Sequence, residues 1–197
     1  DEAAGYMKIC EPVGILVGVI PTTNPTSTAI FKALIALKTR NCIIFSPHPR
    51  AAKSTIEAAR IVYKAAVAAG APEYCISWLT SPSVALCGIL MKHPKTACIL
   101  ATGGPAMVYS AYSSGNPAIG VGPGCCPVVI DEYANVHAAV SKIILSKSFD
   151  NGVICASEQV VVAHKAAYDE TAAEFRKQGA YIVSEANKKA IEDVLFT

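Results

Sequence analysis

Residues 149–159 read Phe-Asp-Asn-Gly-Val-Ile-Cys-Ala-Ser-Glu-Gln, and among them Cys155 is the side chain best suited to covalent chemistry. It follows a turn signal, Asp150-Asn151-Gly152, and precedes an apolar run with strand character. A thiol on a tight loop can meet a substrate, and nearby backbone N–H groups can stabilise the thiolate that attacks an electrophilic carbon. Free cysteines are nevertheless among the most buried residue types, and a lone one more often packs than reacts. Asn24, ahead of Pro25, is either a turn former or an amide donor aimed at a reaction centre, and residue type alone favours the turn. His48, between two prolines, reads as a loop histidine, and neither His137 nor His164 has a recognisable partner in the sequence.

The elements that must position these groups follow from periodicity. The run GILVGVI at 14–20 predicts a fully buried strand, which Pro21-Thr22-Thr23-Asn24-Pro25 ends with turn chemistry. Thr26 or Ser27 is the expected cap of a helix over 27–38, with Ile30, Phe31, Leu34, Ile35 and Leu37 at helical spacing. A second buried strand at 41–46 stops at Pro47-His48-Pro49, and an Ala-rich helix over 50–69 closes at Gly70 and Pro72. A strand at 75–79, a helix over 83–92 capped by Ser81 or Ser83, and a strand at 97–101 running into Thr102-Gly103-Gly104 continue the alternation. Pro105 then opens a helix over 105–113. Repeated strand-helix order predicts an α/β fold, a doubly wound, Rossmann-like parallel sheet with helices on both faces.

The pattern then changes. Strands at 117–121 and 127–131 flank Gly122-Pro123-Gly124, and a helix over 134–147, a strand at 159–163 and a helix over 165–177 stopped by Gly179 follow. A boundary near 122–127 divides the chain into a first domain, 1–122, and the start of a second α/β domain, 123–197.

Composition narrows the function classes. With 197 residues, 52% apolar and 16% charged, the chain suffices for one core, or for one domain and part of another. Seventeen basic and 15 acidic side chains leave a net charge of +2, which gives nucleic acid no electrostatic footprint. The longest apolar runs are interrupted by Gly and too short to cross a bilayer, so no membrane span is expected. Eight cysteines, at 10, 42, 75, 87, 98, 125, 126 and 155, lack the spacing of a disulfide framework and fit a reducing, cytoplasmic compartment. No C-x-x-C occurs, and Cys125-Cys126 has no further ligand at metal-binding spacing, so no metal is expected. The opening Asp1-Glu2-Ala3-Ala4-Gly5 has no signal-peptide character.

In open parallel sheets, ligands bind beyond the carboxyl ends of the strands, where helix N-termini favour phosphates. Residues 21–26, 46–50 and 102–105 form three such junctions, each of which singly also suits an ordinary loop. Gly120-Val121-Gly122-Pro123-Gly124 looks like a dinucleotide fingerprint but leads into a strand rather than a helix.

Five motifs in order, PTTNP at 21–25, SPHPR at 46–50, ATGGP at 101–105, GVGPG at 120–124 and FDNGVICASEQ at 149–159, closely resemble the CoA-acylating branch of the aldehyde dehydrogenase superfamily. More narrowly they resemble the acetaldehyde dehydrogenase half of the bifunctional aldehyde-alcohol dehydrogenases, from residue 11 to the end. The resemblance implies NAD as cofactor, coenzyme A as co-substrate, and a small aldehyde and acyl-CoA as partners. It implies that Cys155 is the nucleophile and that the Asn24 amide and the Cys155 backbone N–H form an oxyanion hole. Ser46, Pro47 and His48 would lie beside the adenosine ribose and Thr102, Gly103 and Gly104 beside the pyrophosphate. Thr22, Val121 and Gly122 would also face the cofactor, giving an NAD-binding domain over 1–122 and a catalytic domain from 123.

Acid-releasing members of the superfamily carry a water-activating Glu where this chain has Val121. No carboxylate occurs between Asn116 and Ile130, which favours transfer to a thiol over hydrolysis. The usual Asn-Thr after the glycine loop is replaced by Cys125-Cys126. The resemblance further implies a homo-oligomer, filamentous in bifunctional relatives. The 197 residues are expected to be part of a larger polypeptide and inactive alone, since the segment that touches the nicotinamide ribose lies beyond them. Rival readings are an acylating dehydrogenase for another short aldehyde, a scaffold segment, and a nucleotide-binding module without chemistry.

Overall fold

The computed structural model describes residues 3–7, 9–122 and 124–195. Pro123, inside the expected hinge, lies outside them. The chain divides into two compact units, Asp1–Gly124 and Cys125–Thr197.

The first unit alternates β1 (Ile15–Ile20), α1 (Pro25–Lys38), β2 (Cys42–Pro47), α2 (Ala52–Ala68), β3 (Ile76–Trp78), α3 (Val84–Lys92), β4 (Thr96–Thr102), α4 (Pro105–Tyr112) and β5 (Ala118–Val121). Its five strands are parallel, in the order β3-β2-β1-β4-β5. The chain winds outward from β1 to β3, returns across the sheet, and winds outward again through β4 and β5, so β1 and β4 form the switch point where crossovers diverge. Leu16 and Ile20 of β1 pack with Ala29, Ala33 and Ala36 of α1 and Ala58 and Ala59 of α2. Val17 and Val19 point the other way, toward Cys87, Met91 and Ala111 of α3 and α4. Both faces of the sheet are thereby covered, as continuous apolar runs in parallel strands require.

Gly18 sits in β1 because its neighbour is an aromatic ring. A Cβ there would come within 2.7 Å of Phe45 Cδ1, and Phe45 is fully buried. Gly120 is required in β5 for a like reason: a Cβ would lie 2.7 Å from Val108 Cγ1 and 2.8 Å from Tyr112 Cε2. This glycine of the GVGPG motif therefore answers to helix packing.

Helix α1 departs from expectation at its start. Pro25 occupies its first turn, with Asn24 at the N-cap, so the helix begins ahead of Thr26 and Ser27 and neither caps it. A proline φ is already helical and its missing N–H costs nothing at that position. The large apolar side chains Ile30, Phe31, Leu34 and Ile35 are exposed, Phe31 to 53% and Leu34 to 56%. The buried face is Thr28, Ala29, Lys32, Ala33 and Ala36, small residues that let the helix lie close to the sheet.

Lys32 is only 2% exposed. Its Nζ donates to the carbonyls of Val19 and Leu100, both at 2.7 Å, and so joins β1 to β4 at the switch point. Burial pushes its ammonium down to about 7.

The second unit contains β6 (Cys126–Ile130), α5 (Val136–Ser148), β7 (Glu158–Ala163), α6 (Tyr168–Lys177) and α7 (Glu185–Leu195). β6 and β7 pair in parallel. Ile130, Val136, Val140, Ile143 and Ala167 form their own core. The unexpected α7 contributes no buried side chain, although Ala186, Ala190 and Val194 recur along it at helical spacing. Both histidines thought to lack partners have them. His137 Nδ1 lies 2.7 Å from Glu174 Oε1, and His164 Nδ1 accepts from the Ala166 N–H at 3.3 Å. Hydrogen bonds from Gln178 and His137 draw the Glu174 carboxyl down to about 2. Among the described residues no helix is long and apolar enough to cross a membrane, and no group of three or more His, Cys, Asp or Glu could hold a metal ion.

The buried lysine predicts a signed pH effect. Because the folded-state pKa lies below the unfolded one, the unfolded chain binds more protons between about pH 7 and 10. Stability should therefore rise with pH across that window, by up to about 1.4 kcal/mol per unit. Urea denaturation of wild type against Lys32→Met at several pH values checks this, and the rise should be absent in the variant.

Candidate active site and cofactor cleft

The first unit opens a cavity of about 470 Å³ beyond the carboxyl ends of β1, β2 and β4, at the switch point. It brings together Ser46, Pro47 and His48 from the end of β2 with Thr102, Gly103 and Gly104 from the end of β4. Local chemistry fixes each corner. His48 Nδ1 accepts the Arg50 N–H at 3.2 Å and caps the one-turn 3-10 helix Pro49–Ala51, which replaces the expected first turn of α2. Gly103 donates its N–H to the Val121 carbonyl at 3.2 Å, tying the turn after β4 to the end of β5.

The cavity fits the anionic portion of a dinucleotide. Gly104 is the N-cap of α4, and a Cβ built on it meets nothing within 4 Å, so the space that a side chain would occupy is free for a ligand. Pro105 has no N–H, and the Met107 and Val108 amides bond back to the Gly104 carbonyl at 3.1 Å. The Ala106 amide, also on the lining, has no such partner among the described residues. That is the arrangement in which a helix N-terminus favours an anion. The described lining residues include no carboxylate to oppose one.

Thr22, Asn24, Val121 and Gly122 are not among the lining residues. Thr22 is exposed on the bend after β1, Val121 is 59% exposed at the end of β5, and Gly122 follows it. Asn24 is half-buried at the α1 N-cap, but its side chain does not cap the helix. Its Oδ1 accepts from the Thr23 hydroxyl at 3.1 Å, and its amide nitrogen donates to no group among the described residues. The backbone turns at Asn24, as a turn former ahead of Pro25 would have it.

Sequence reasoning missed Ser83, Cys87 and Met107 on the cavity wall. Ser83 caps α3, its Oγ accepting the Leu86 N–H at 3.1 Å, and this places Cys87 one turn further in. Burial pushes the Cys87 thiol up, partly offset by a hydrogen bond with Ser46. Lys32 was also missed, although its setting among Thr28, Ala29, Ala33 and Ala36 was legible as the small-residue side of a helix.

In the second unit Cys155 is exposed, on a turn closed by the Ser157 N–H donating to the Ile154 carbonyl at 3.1 Å. Ser157 is fully buried beneath it, its hydroxyl donating to the Ile154 carbonyl at 2.9 Å and accepting from Lys147 Nζ at 3.3 Å. Three successive residues ahead of the turn are left-handed: Asp150 at φ 49°, Asn151 at 53° and Gly152 at 71°. A Cβ on Gly152 would sit 3.0 Å from the Lys147 carbonyl oxygen. Asp and Asn tolerate this region better than other side chains, yet two in succession still store strain. The sulfur is therefore presented by a turn anchored from below.

This strain predicts opposite signs for neighbouring substitutions. Gly152→Ala should lower stability by about 1–2 kcal/mol, since it adds a crowded Cβ at positive φ. Asn151→Gly should leave stability unchanged or raise it by a few tenths of a kcal/mol. Urea unfolding of both variants checks the pair.

Comparison with known proteins agrees with this geometry. The aldehyde dehydrogenase family model matches residues 2–190. The chain is 57% identical over 195 residues to the bifunctional aldehyde-alcohol dehydrogenase AdhE of Escherichia coli K12, covering 99% of this chain and 22% of that protein. It superposes with a TM-score of 0.84 and 55% identity on an acetylating aldehyde dehydrogenase from Geobacillus thermoglucosidasius, over 95% of this chain and 41% of that one. It also superposes, at 0.82 and 36% identity, on a Rhodopseudomonas palustris propionaldehyde dehydrogenase with bound CoA and an acylated cysteine, over 95% of this chain and 43% of that one. The chain thus spans less than half of each relative, and with the sheet order, the switch-point cavity and the matched family model in agreement, it belongs to the aldehyde dehydrogenase family.

Proposed function

We propose that the protein carrying this chain is an NAD-dependent, CoA-acylating aldehyde dehydrogenase that interconverts acetaldehyde and acetyl-CoA through a thioester on Cys155. The observation that carries the reading is the exposed Cys155 thiol on its anchored turn, in a chain more than half identical to an aldehyde-alcohol dehydrogenase. A relative that holds both CoA and an acylated cysteine supports the same chemistry.

In this reading Ser46, Pro47 and His48 hold the adenosine end of the dinucleotide and Thr102, Gly103 and Gly104 its diphosphate. Thr22, Val121 and Gly122 keep the cofactor-facing roles that the family resemblance gives them. When bound, NAD supplies a hydride acceptor. The Cys155 thiolate attacks the aldehyde carbon, giving a thiohemiacetal whose alkoxide is stabilised by amide donors, the Asn24 carboxamide and the Cys155 N–H among them. Loss of hydride leaves an acyl thioester on Cys155, and the thiol of coenzyme A takes the acyl group and frees the cysteine. With no carboxylate between Asn116 and Ile130 to activate water, the thioester persists until a thiol arrives. A homo-oligomeric, cytoplasmic enzyme belongs to the same proposal, and eight free thiols fit a reducing compartment.

Mild incubation of the polypeptide that carries this segment with acetyl-CoA should add one acetyl group to the tryptic peptide 148–165, whose sole cysteine is Cys155. The adduct should be absent in Cys155→Ser. Acetylation confined to other thiols, or none, would overturn the assignment. Incubation with acetaldehyde and NAD but no CoA should yield at most about one equivalent of NADH; many turnovers with acetate release would show that water, rather than a thiol, resolves the thioester.

A further inference from the structure

We propose that Cys126 and Cys155 form a disulfide-forming pair, in which Cys126 resolves oxidised Cys155. The thiol of Cys126 lies 3.3 Å from the carbonyl oxygen of Cys155 and donates a weak hydrogen bond to it. The two residues belong to the same unit and come from separate elements. Cys126 is the first residue of β6, paired with Glu158, and Cys155 sits on the turn that leads into β7. Between Cys126 and Pro127 the register shifts, so Pro127 pairs with Val160 and one residue of β7 is left over. A bulge at the mouth of the ladder loosens the backbone where the two sulfurs must approach. The Cys155 side chain is exposed, and no hydrogen bond to it is found among the described residues, so no hydrogen bond ties its sulfur to one rotamer.

The chemistry requires a hydroperoxide as oxidant. The Cys155 thiolate attacks the peroxide, breaking the O–O bond to give a sulfenic acid and, for hydrogen peroxide, one water. The Cys126 thiolate then attacks that sulfur, forming the S–S bond and expelling the hydroxyl, which leaves as a second water. Two electrons pass from the two thiols to the peroxide. The consequence of the pair rests on the function proposed above: the disulfide blocks the nucleophile yet keeps it recoverable, where further oxidation to the sulfinic acid would not.

The test treats the complete polypeptide, at neutral pH, with hydrogen peroxide, maps one portion without reduction, and treats the other with dithiothreitol. Peptide mapping should show 148–165 cross-linked to 96–142, the peptide that contains Cys98, Cys125 and Cys126. Cys125→Ser should retain the cross-link and Cys126→Ser should lose it. Acetylation of Cys155 by acetyl-CoA should vanish on oxidation and return with dithiothreitol in wild type and Cys125→Ser. In Cys126→Ser, excess peroxide should carry the unresolved sulfenic acid on to the sulfinic acid, with a second peroxide reduced to water, and dithiothreitol should then restore less of the acetylation than in wild type. A cross-link that survives Cys126→Ser, or none in wild type, overturns the proposal. A Cys126–Cys155 cross-link in a protein that acetyl-CoA never labels leaves the pair standing and removes the proposed enzymatic role, so the two failures are told apart.

Discussion

The reversal of winding direction between β1 and β4 is the constraint on which the first unit depends. Two strands that share a ladder but send their crossovers to opposite faces cannot share a connecting loop, so the chain must part above them. The cavity lies in that parting, with the N-termini of α3 and α4 at its rim. Lys32 ties the same two strands from below through the Val19 and Leu100 carbonyls. A buried amine that uses two donors on main-chain oxygens loses water but not hydrogen bonding, which is how the fold tolerates a polar group there.

The second unit presents its sulfur in another way. Its anchor is the buried Ser157 and the Lys147 ammonium that reaches both Ser157 and Gln159. Above that anchor the backbone takes three left-handed residues in succession, a conformation that an Asp-Asn-Gly sequence can hold and few others can. Strain of this kind persists only where surrounding bonds over-determine the geometry. The consequence for function is a thiol on a short, held turn, exposed to solvent rather than packed away.

Much of this was legible in the residues. The continuous apolar runs of β1, β2 and β4, each ending in Pro or Gly, marked buried parallel strands with ligand-facing ends. The Thr102-Gly103-Gly104-Pro105 corner and the Ser46-Pro47-His48 corner did come to one cavity. The helical spacing of apolar residues in α1 marked the helix and left open which face it buries. Close packing on a flat sheet selects small residues instead, and leaves Ile30, Phe31, Leu34 and Ile35 outside. His137 was misread because its partners, Glu174 and Gln178, are distant in sequence and meet it only when α5 packs on α6.

By itself, then, the sequence determined the order of elements, the glycine and proline corners, and the one turn chemistry that can carry Cys155. These are local matters of φ preference, missing donors and hydrophobic period, and they act over a few residues. Only the tertiary structure decided which strands neighbour one another, that a lysine of α1 would end beneath the switch point, and that Cys126 would lie against the Cys155 carbonyl. Those outcomes join positions tens of residues apart, where no local preference reaches and only the competition to bury surface and pair every buried polar group selects the arrangement.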